Sequence, residues 1–401
     1  MTTTWTSPLQ ALRREQLRGQ FDPWLLGVAL ALAAFGVVMV ASSSIAVAEG
    51  AGLSPFHYLL RHLIFLGAGG LLGAACACTP LDFWERHSRV LLLLAFLLLL
   101  AVFLPGFGVR VNGARRWLTL GISRFQAVEA VKLLLIIYLA SYLRRFGDAI
   151  QHRLLAVLKP LGIAGLIVLL LLQQPDFGSA LLILAIVIGM VWLGGARVRD
   201  LTTMAALTTP VMAWAALSES YRVRRLTSFL DPWQDPFNDG FQLVQALIAV
   251  GRGEWFGVGL GASVQKLFYL PEAHTDFIFS VIAEELGLVG VVLVIGGFAL
   301  LCGRLFVLGQ RALDRGLIFA GYLAFGVALW LSVQALVSIG VNLGLLPTKG
   351  LTLPLISSGG SSLLMTVAAI GLMLRVSVEW SRAERIAQIS AGAEEGGEHA
   401  P

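Results

Sequence analysis

Asp276 stands at the mouth of an apolar stretch, and Glu284 and Glu285 stand inside it, in the run from Leu270 to Gly287. At about 1.5 Å per helical residue the two glutamates lie about 12 to 14 Å deeper than Asp276, too far to act with it on one bond. In a chain that is 57% hydrophobic and 13% charged, carboxylates so placed are costly. An ionisable group at membrane depth is by default a functional candidate. Asp276 has the chemistry of a general base, which takes a proton from an attacking hydroxyl. The competing reading is a helix cap, because Thr275 and Asp276 are good helix-start residues and an early Asp gains from the dipole. Capping and a nearby lysine lower a carboxyl pKa and desolvation raises it; the expectation here is that the first two secure the anion. Glu284 and Glu285 read as packing or hydrogen-bond anchors between helices. His274 could also serve as a base, although a loop histidine beside a cap is more often structural.

Glu129 and Lys132 are three residues apart, so on a helix they share a face and can pair. They either neutralise each other inside the fold or present Lys132 to a carboxylate on another helix, for which Asp276 is the natural partner. The segment Pro347-Thr348-Lys349-Gly350-Leu351-Thr352-Leu353-Pro354, followed by Ser357 to Ser362, imposes an irregular backbone before an apolar run. Free amides from Gly359 to Ser362 at a helix start suit an anion, and a plain turn with an N-cap is the alternative. Cys76, Cys78 and Cys302 all lie in apolar segments; they fit neither a disulfide framework nor a zinc pattern and read as small buried hydrophobes.

The elements that must position these residues follow from hydropathy. A mean hydropathy of +0.81 over 401 residues, in repeated apolar stretches of about 20 residues, describes a polytopic helical membrane protein. The predicted fold is all-α, with ten spans near 22–42, 59–77, 89–105, 126–144, 155–173, 178–194, 200–217, 276–301, 316–340 and 361–379. Residues 1–21 form an N-terminal segment whose Arg13, Arg14 and Arg18 precede a retained first span rather than a cleaved signal peptide. Residues 22–380 form the membrane domain, and the Gly- and Glu-rich tail over 381–401 is expected to be disordered. Loops on the side of both termini carry Arg86, Arg144, Arg145, Arg197, Arg199, Arg304 and Arg311, which makes that side the cytoplasm.

The opposite face breaks the usual charge rule. Its segment 105–126 holds Arg110, Arg115, Arg116 and Arg124, and the large loop 218–275, between spans seven and eight, holds Arg222, Arg224, Arg225, Arg252 and Lys266. Either these groups satisfy carboxylates such as Asp231, Asp235 and Asp239, or they form a basin for an anionic ligand at the outer leaflet. Phe229, Trp233, Phe237, Phe241, Trp255 and Phe256 among glycine turns predict short amphipathic helices at the interface, one of them over Gly240 to Val250. The glycines do not form a nucleotide-binding signature. Nothing in the chain reads as a nucleic-acid interface.

The chain resembles the SEDS family of peptidoglycan polymerases, comprising FtsW, RodA and SpoVE, over about residues 22–380. The resemblance is carried by Val111-Asn112-Gly113-Ala114-Arg115-Arg116-Trp117-Leu118, Gln174-Pro175-Asp176-Phe177-Gly178, Phe229 to Trp233, Gly257 to Gly261, Leu270 to Gly287 and Leu346 to Ser362. Leu346 to Gly350 is more similar to the FtsW division branch than to RodA. Gln126-Ala127-Val128-Glu129 replaces the family's Gln-Pro-Ser-Glu, Ser358 replaces a usual Tyr, and His62 replaces a common Gln.

The resemblance implies an inverting glycosyltransferase that polymerises lipid II on the outer face of the cytoplasmic (inner) membrane, for septal wall synthesis in cell division. It makes Asp276 the essential acidic residue and puts Glu129 and Lys132 in the same cavity. Glu129, Lys132, Arg61, Arg115, Arg116, Arg224, Lys349 and Ser361 are then expected to bind substrate, with the outer arginines and Lys349 meeting the pyrophosphate. No dedicated metal cage is visible and no obligatory cofactor is expected; a divalent cation (Mg or Mn) on the pyrophosphate is the one optional addition. The implied partners are lipid II, the nascent glycan, a class B penicillin-binding transpeptidase and other division proteins. A lipid II flippase and a non-catalytic scaffold for a transpeptidase are the alternatives.

Overall fold

Asp22 begins the described fold with a cap: its carboxylate accepts from the amides of Trp24 and Leu25, with Pro23 at the first helical position, where its missing N–H costs nothing. The computed structural model describes residues 20–111, 113–120 and 123–397; Arg13, Arg14, Arg18, Asn112 and residues 398–401 lie outside them. From Pro23 the helices run α1 (Pro23–Gly50), α2 (His57–Cys78), α3 (Leu81–Arg86) and α4 (Ser88–Ala101). Strands β1 (Gly108–Val111), β2 (Ala114–Leu120) and β3 (Ser123–Gln126) follow. The chain continues through α5 (Ala127–His152), α6 (Leu154–Gln173), α7 (Phe177–Leu193), α8 (Val198–Leu217), α9 (Ser220–Leu230) and α10 (Phe241–Arg252). It ends in α11 (Ile278–Asp314), α12 (Ile318–Asn342) and α13 (Gly360–Gly397).

A helix stands at each of the ten positions that hydropathy marks. Six of the described helices are long and apolar enough to cross a membrane: α1, α2, α6, α11, α12 and the Gly360–Ser390 part of α13. A seventh arises if α8 and α9, bent by 95° at their junction, count as one span. α4 and α7 are shorter, and α5 carries Glu129, Lys132, Arg144 and Arg145. α5 and α12 are buried nearly all round, with Val131, Leu135, Leu139, Trp330 and Leu331 fully enclosed, as expected for helices at the centre of a bundle. α2 and α13 touch backbone to backbone: a Cβ added at Gly371 would lie 2.0 Å from the Gly73 carbonyl oxygen. Small residues permit that approach, which is how helices associate in lipid.

The bundle is interrupted where the chemistry lies. α11 breaks at Gly287, whose φ of 63° needs glycine. The groups freed by the break are satisfied by the outer loop: Val258 and Gly259 donate to the carbonyls of Glu284 and Glu285, while Leu288 and Val289 donate to those of Glu254 and Trp255. Irregular backbone at this depth is tolerated because protein covers it. The segment 346–359 dips in the same way, bringing Leu355 and Ile356 against Gly36 of α1.

Two expectations need correction. The all-α reading omits an antiparallel sheet of order β1-β2-β3, in which Val111 faces Ala114 and Leu120 faces Ser123. The tail is not disordered over 381–397, because α13 continues through Gly397. That extension is tied down: Arg311 stacks on Trp380 at 5.4 Å and Arg315 pairs with Glu384 at 3.6 Å.

Candidate functional site

Asp276 is half-buried just before α11, and the main chain from His274 to Asp276 is held from two sides, by the segment carrying Ser357 and Ser358 and by Asn342 of α12. Ser358 N–H donates to the His274 carbonyl (3.0 Å), the Ser357 hydroxyl to the Thr275 carbonyl (2.7 Å), and the Asn342 amide to the Asp276 carbonyl (2.9 Å). The segment carrying Ser357 and Ser358 also carries Gly350, where an added Cβ would lie 3.1 Å from Asp276 Oδ2. An alanine there would press on the carboxylate, which would have to give by a few tenths of an ångström. Asp276 does not cap α11: the cap residue is Phe277, which has no side-chain acceptor. Burial pushes the Asp276 carboxyl up to about 7, Glu272 adds to the rise, and Arg225 and Arg116 oppose it. The anticipated lowering by a cap and a lysine is therefore reversed. His274 is buried against the Tyr58 ring at 4.7 Å with Nδ1 unpartnered, and burial lowers its pKa against an opposing push from Glu272; it is a neutral packing residue.

Gly350 also lines a small, open cavity walled by Arg116, Arg222, Arg225, Lys349, Tyr221 and Asp176. Each element contributes for a local reason. Arg116 projects from β2 and donates to the carbonyls of Gln174 and Pro175 (3.2 and 2.6 Å). Arg222 and Arg225 lie three apart on α9 and so share a face; Arg222 donates to the Ala215 carbonyl at the bend (2.5 Å), and Arg225 reaches the Thr348 carbonyl (3.5 Å). Lys349 lies over the Phe177 ring at 4.2 Å, a cation–π contact. Its ammonium is pushed down to about 8 by burial first, then by Arg225 and Arg222, with Asp176 opposing. Three arginines and a lysine around one small cavity form an excess of positive charge that suits a diphosphate-like anion.

Lys132 sits elsewhere, inside the bundle. It pairs with Glu129 at 2.8 Å, donates to Gln334 Oε1 at 2.8 Å and faces the Trp330 ring at 4.8 Å. It makes no ion pair or hydrogen bond with Asp276, so the expected direct partnership is replaced by an indirect one: Gln334 donates to the Thr352 carbonyl at 2.9 Å, in the segment that faces Asp276. Glu284 accepts from Arg252 (3.1 Å), the Ser263 hydroxyl (2.5 Å) and the Val264 amide (3.0 Å). Glu285 accepts from Lys266 (2.6 Å) and Ser42 (2.7 Å). The two deep carboxylates thus anchor the outer loop to α11 and α1.

Of the residues expected to bind substrate, Arg116 and Lys349 line the cavity. Arg224 is turned outward to Asp239 at 3.4 Å, because α9 places it on the opposite face from Arg222 and Arg225. Arg115 donates to the Phe103 carbonyl at 3.4 Å beneath the sheet, and Arg61 is exposed and reaches over Phe65 at 5.8 Å. Ser361 is buried and accepts from the Gln126 amide at 2.9 Å, so the start of α13 braces β3 instead of opening to an anion. Arg222 and Arg225, two of the outer-loop arginines that suggest an anion basin, do line the cavity, and their three-residue spacing is the signal that sets them apart from Arg224; Tyr221 carries no such signal.

Among the described residues no three His, Cys, Asp or Glu side chains are grouped to hold a metal ion. Asp176, the carboxylate in the cavity wall, spends its oxygens on the Ser179 amide and hydroxyl and on Gln126. These residues do not make a metal cage.

The chain is similar to known proteins over most of its length. A family model described as a cell cycle protein, FtsW/RodA/SpoVE, matches residues 23–382. A probable peptidoglycan glycosyltransferase FtsW from Xanthomonas oryzae pv. oryzae is 57% identical, over 94% of this chain and 77% of that protein. One of the same name from Coxiella burnetii is 47% identical, over 92% of this chain and 99% of that protein. Among solved structures, a chain of a peptidoglycan synthase complex that coordinates polymerization and crosslinking superposes with a TM-score of 0.73 at 33% identity, covering 90% of this chain and 98% of that one. The rod shape determining protein RodA of Thermus thermophilus gives 0.65 at 31% identity, covering 89% and 96%.

Proposed function

Because the chain belongs to the FtsW/RodA/SpoVE family of cell cycle proteins, we propose that it performs its peptidoglycan glycosyl transfer at the Asp276 cavity. The protein is a peptidoglycan glycosyltransferase, and the substrate is lipid II. Asp276 takes the proton from the 4-hydroxyl of the acceptor sugar as that oxygen attacks the anomeric carbon of the donor with inversion. The bond from the anomeric carbon to the pyrophosphate oxygen breaks, and its electron pair leaves on undecaprenyl pyrophosphate. Arg116, Arg222, Arg225 and Lys349 meet that growing charge. One base and one charge-neutralising cavity suffice, because the leaving group is already good; the paired carboxylates of a glycosidase are not required.

The observation that carries this reading is the juxtaposition at Gly350: the Asp276 carboxylate on one side and the four-cation cavity on the other. A carboxyl poised near 7 fits base work at neutral pH. A divalent cation would arrive on the pyrophosphate itself, since Asp176, the carboxylate in the cavity wall, spends its oxygens on Ser179 and Gln126. Ten crossings, with both termini in the cytoplasm and the loop 218–275 outside, put the cavity at the outer leaflet of the inner membrane, where the acceptor strand grows. A class B penicillin-binding transpeptidase is the partner that crosslinks the product, and the similarity to the FtsW relatives favours the division septum. Flippase and scaffold readings gain no support from relatives named for glycosyl transfer.

The test uses purified protein and labelled lipid II, with any partner's own polymerising activity blocked. Asp276→Asn should lower polymer formation by about 10²- to 10⁴-fold while leaving lipid II binding intact. Arg225→Ala should lower it by on the order of tenfold to a hundredfold.

A further inference from the structure

Asn342 is the last residue of α12 and is fully buried. Its amide oxygen accepts from the Ser280 N–H (3.0 Å) and the Ser280 hydroxyl (2.8 Å). Its amide nitrogen donates to the carbonyls of Asp276 (2.9 Å) and Ser338 (2.8 Å). Ser280 lies in the first turn of α11, where a side-chain acceptor normally closes the end; its N–H is shared between Asn342 and the Phe277 carbonyl (3.1 Å). Phe277 at the cap position has no side-chain acceptor to offer. An aspartate at such a helix start ordinarily spends its carboxylate on the first-turn amides, yet the described hydrogen bonds give the Asp276 carboxylate no such role.

We infer that Asn342 is a positioning residue for the transfer: it caps α11 from a neighbouring helix, holds the Asp276 main chain by its carbonyl, and so leaves the Asp276 carboxylate free to face the substrate. This rests on the reading of Asp276 as the base. The charged groups acting on Asp276 are Glu272 from its own loop, Arg225 from α9 and Arg116 from β2; Lys349 stands beyond Gly350 in the facing segment. Without the Asn342 acceptor, the Ser280 amide keeps only its 3.1 Å bond to the Phe277 carbonyl and the Ser280 hydroxyl loses its acceptor, so the Asp276 carboxylate competes for both. A carboxylate drawn onto a helix N-terminus loses its proton more readily and turns away from Gly350.

The experiment is the pH dependence of lipid II polymerisation by the full-length protein carrying Asn342→Ala or Asn342→Asp, with Asp276→Asn alongside. Asn342→Ala should lower kcat by about tenfold or more, keep KM for lipid II within about twofold, and move the acid limb of the rate profile down by about one pH unit. Asn342→Asp keeps an acceptor for Ser280, so its acid limb should hold or move up. Where the Ala variant fails to fold, Asn342→Ser takes its place with the same expected downward shift. An acid limb unmoved in Asn342→Ala, with activity lost only in proportion to folded protein in a thermal melt, overturns the inference. Full activity in Asp276→Asn overturns the base reading instead, so the two failures are distinguishable.

Discussion

The Asp276 carboxyl and the Lys349 ammonium are displaced towards each other, one up to about 7 and the other down to about 8. Burial is the larger cause in both, and the Arg225 charge acts on both. The signs give a pH profile. Asp276 works as the anion, so kcat/KM rises with pH up to about 7; Lys349 works as the cation, so kcat/KM falls above about 8. The measurement is initial polymerisation rate at low lipid II across pH 5.5 to 9.5, a range chosen to bracket both limbs by about a unit and a half. Lys349→Arg keeps its charge throughout, and its alkaline limb should disappear even if its rate is lower. Asp276 was legible in the sequence because few carboxylates occur in so apolar a chain. Its pKa direction was not, because burial, the largest cause of the rise, is set by the packing of distant segments, and the lowering expected from a cap and from Lys132 is absent: Lys132 pairs with Glu129 and Asn342 bonds Ser280 at the helix start. Arg224 pairs with Asp239 while Arg222 and Arg225 line the cavity, a difference of helical phase that needs the bounds of α9 to be seen.

At the scale of elements, the outer loop and the broken helix α11 stabilise each other. A Cβ at Gly257 would lie 2.1 Å from the Glu285 carbonyl oxygen, and φ there is 78°. Gly257→Ala should therefore lower the Tm markedly, whereas Gly251→Ala, with nothing within 4 Å, should leave it unchanged or raise it slightly. Glu284→Ala strands Arg252, Ser263 and the Val264 amide and should cost about 3 kcal/mol, read as a lower detergent melting point and a loop more open to protease. The sequence marked Glu284 and Glu285 as anchors, but their partners lie in the outer loop and in α1, which no local spacing reveals. The sheet over 108–126 did carry a signal: Asn112-Gly113 between β-rich runs is the mark of a two-residue hairpin turn. Its arginines drew the reading towards charge instead.

Across the whole molecule, hydropathy located every long helix, because apolar length is a local property that the bilayer reads directly. Which helices are central was not local: α5 and α12 owe their burial to packing on all sides. Orientation gives a molecular-scale prediction. Cys78 is exposed at the end of α2, while Cys76 and Cys302 are buried. A membrane-impermeant thiol reagent should label Cys78 in inverted vesicles and not in intact cells or right-side-out vesicles. A cysteine introduced at the exposed Phe237 should show the reverse.

The account stands or falls on Asp276 as the base beside a cavity that holds the pyrophosphate. Its most direct test is labelled lipid II binding and glycan polymer formation measured together on purified Asp276→Asn. Retained binding with polymer reduced by about 10²-fold or more is the predicted result. Polymer formed at the unmodified rate would contradict it.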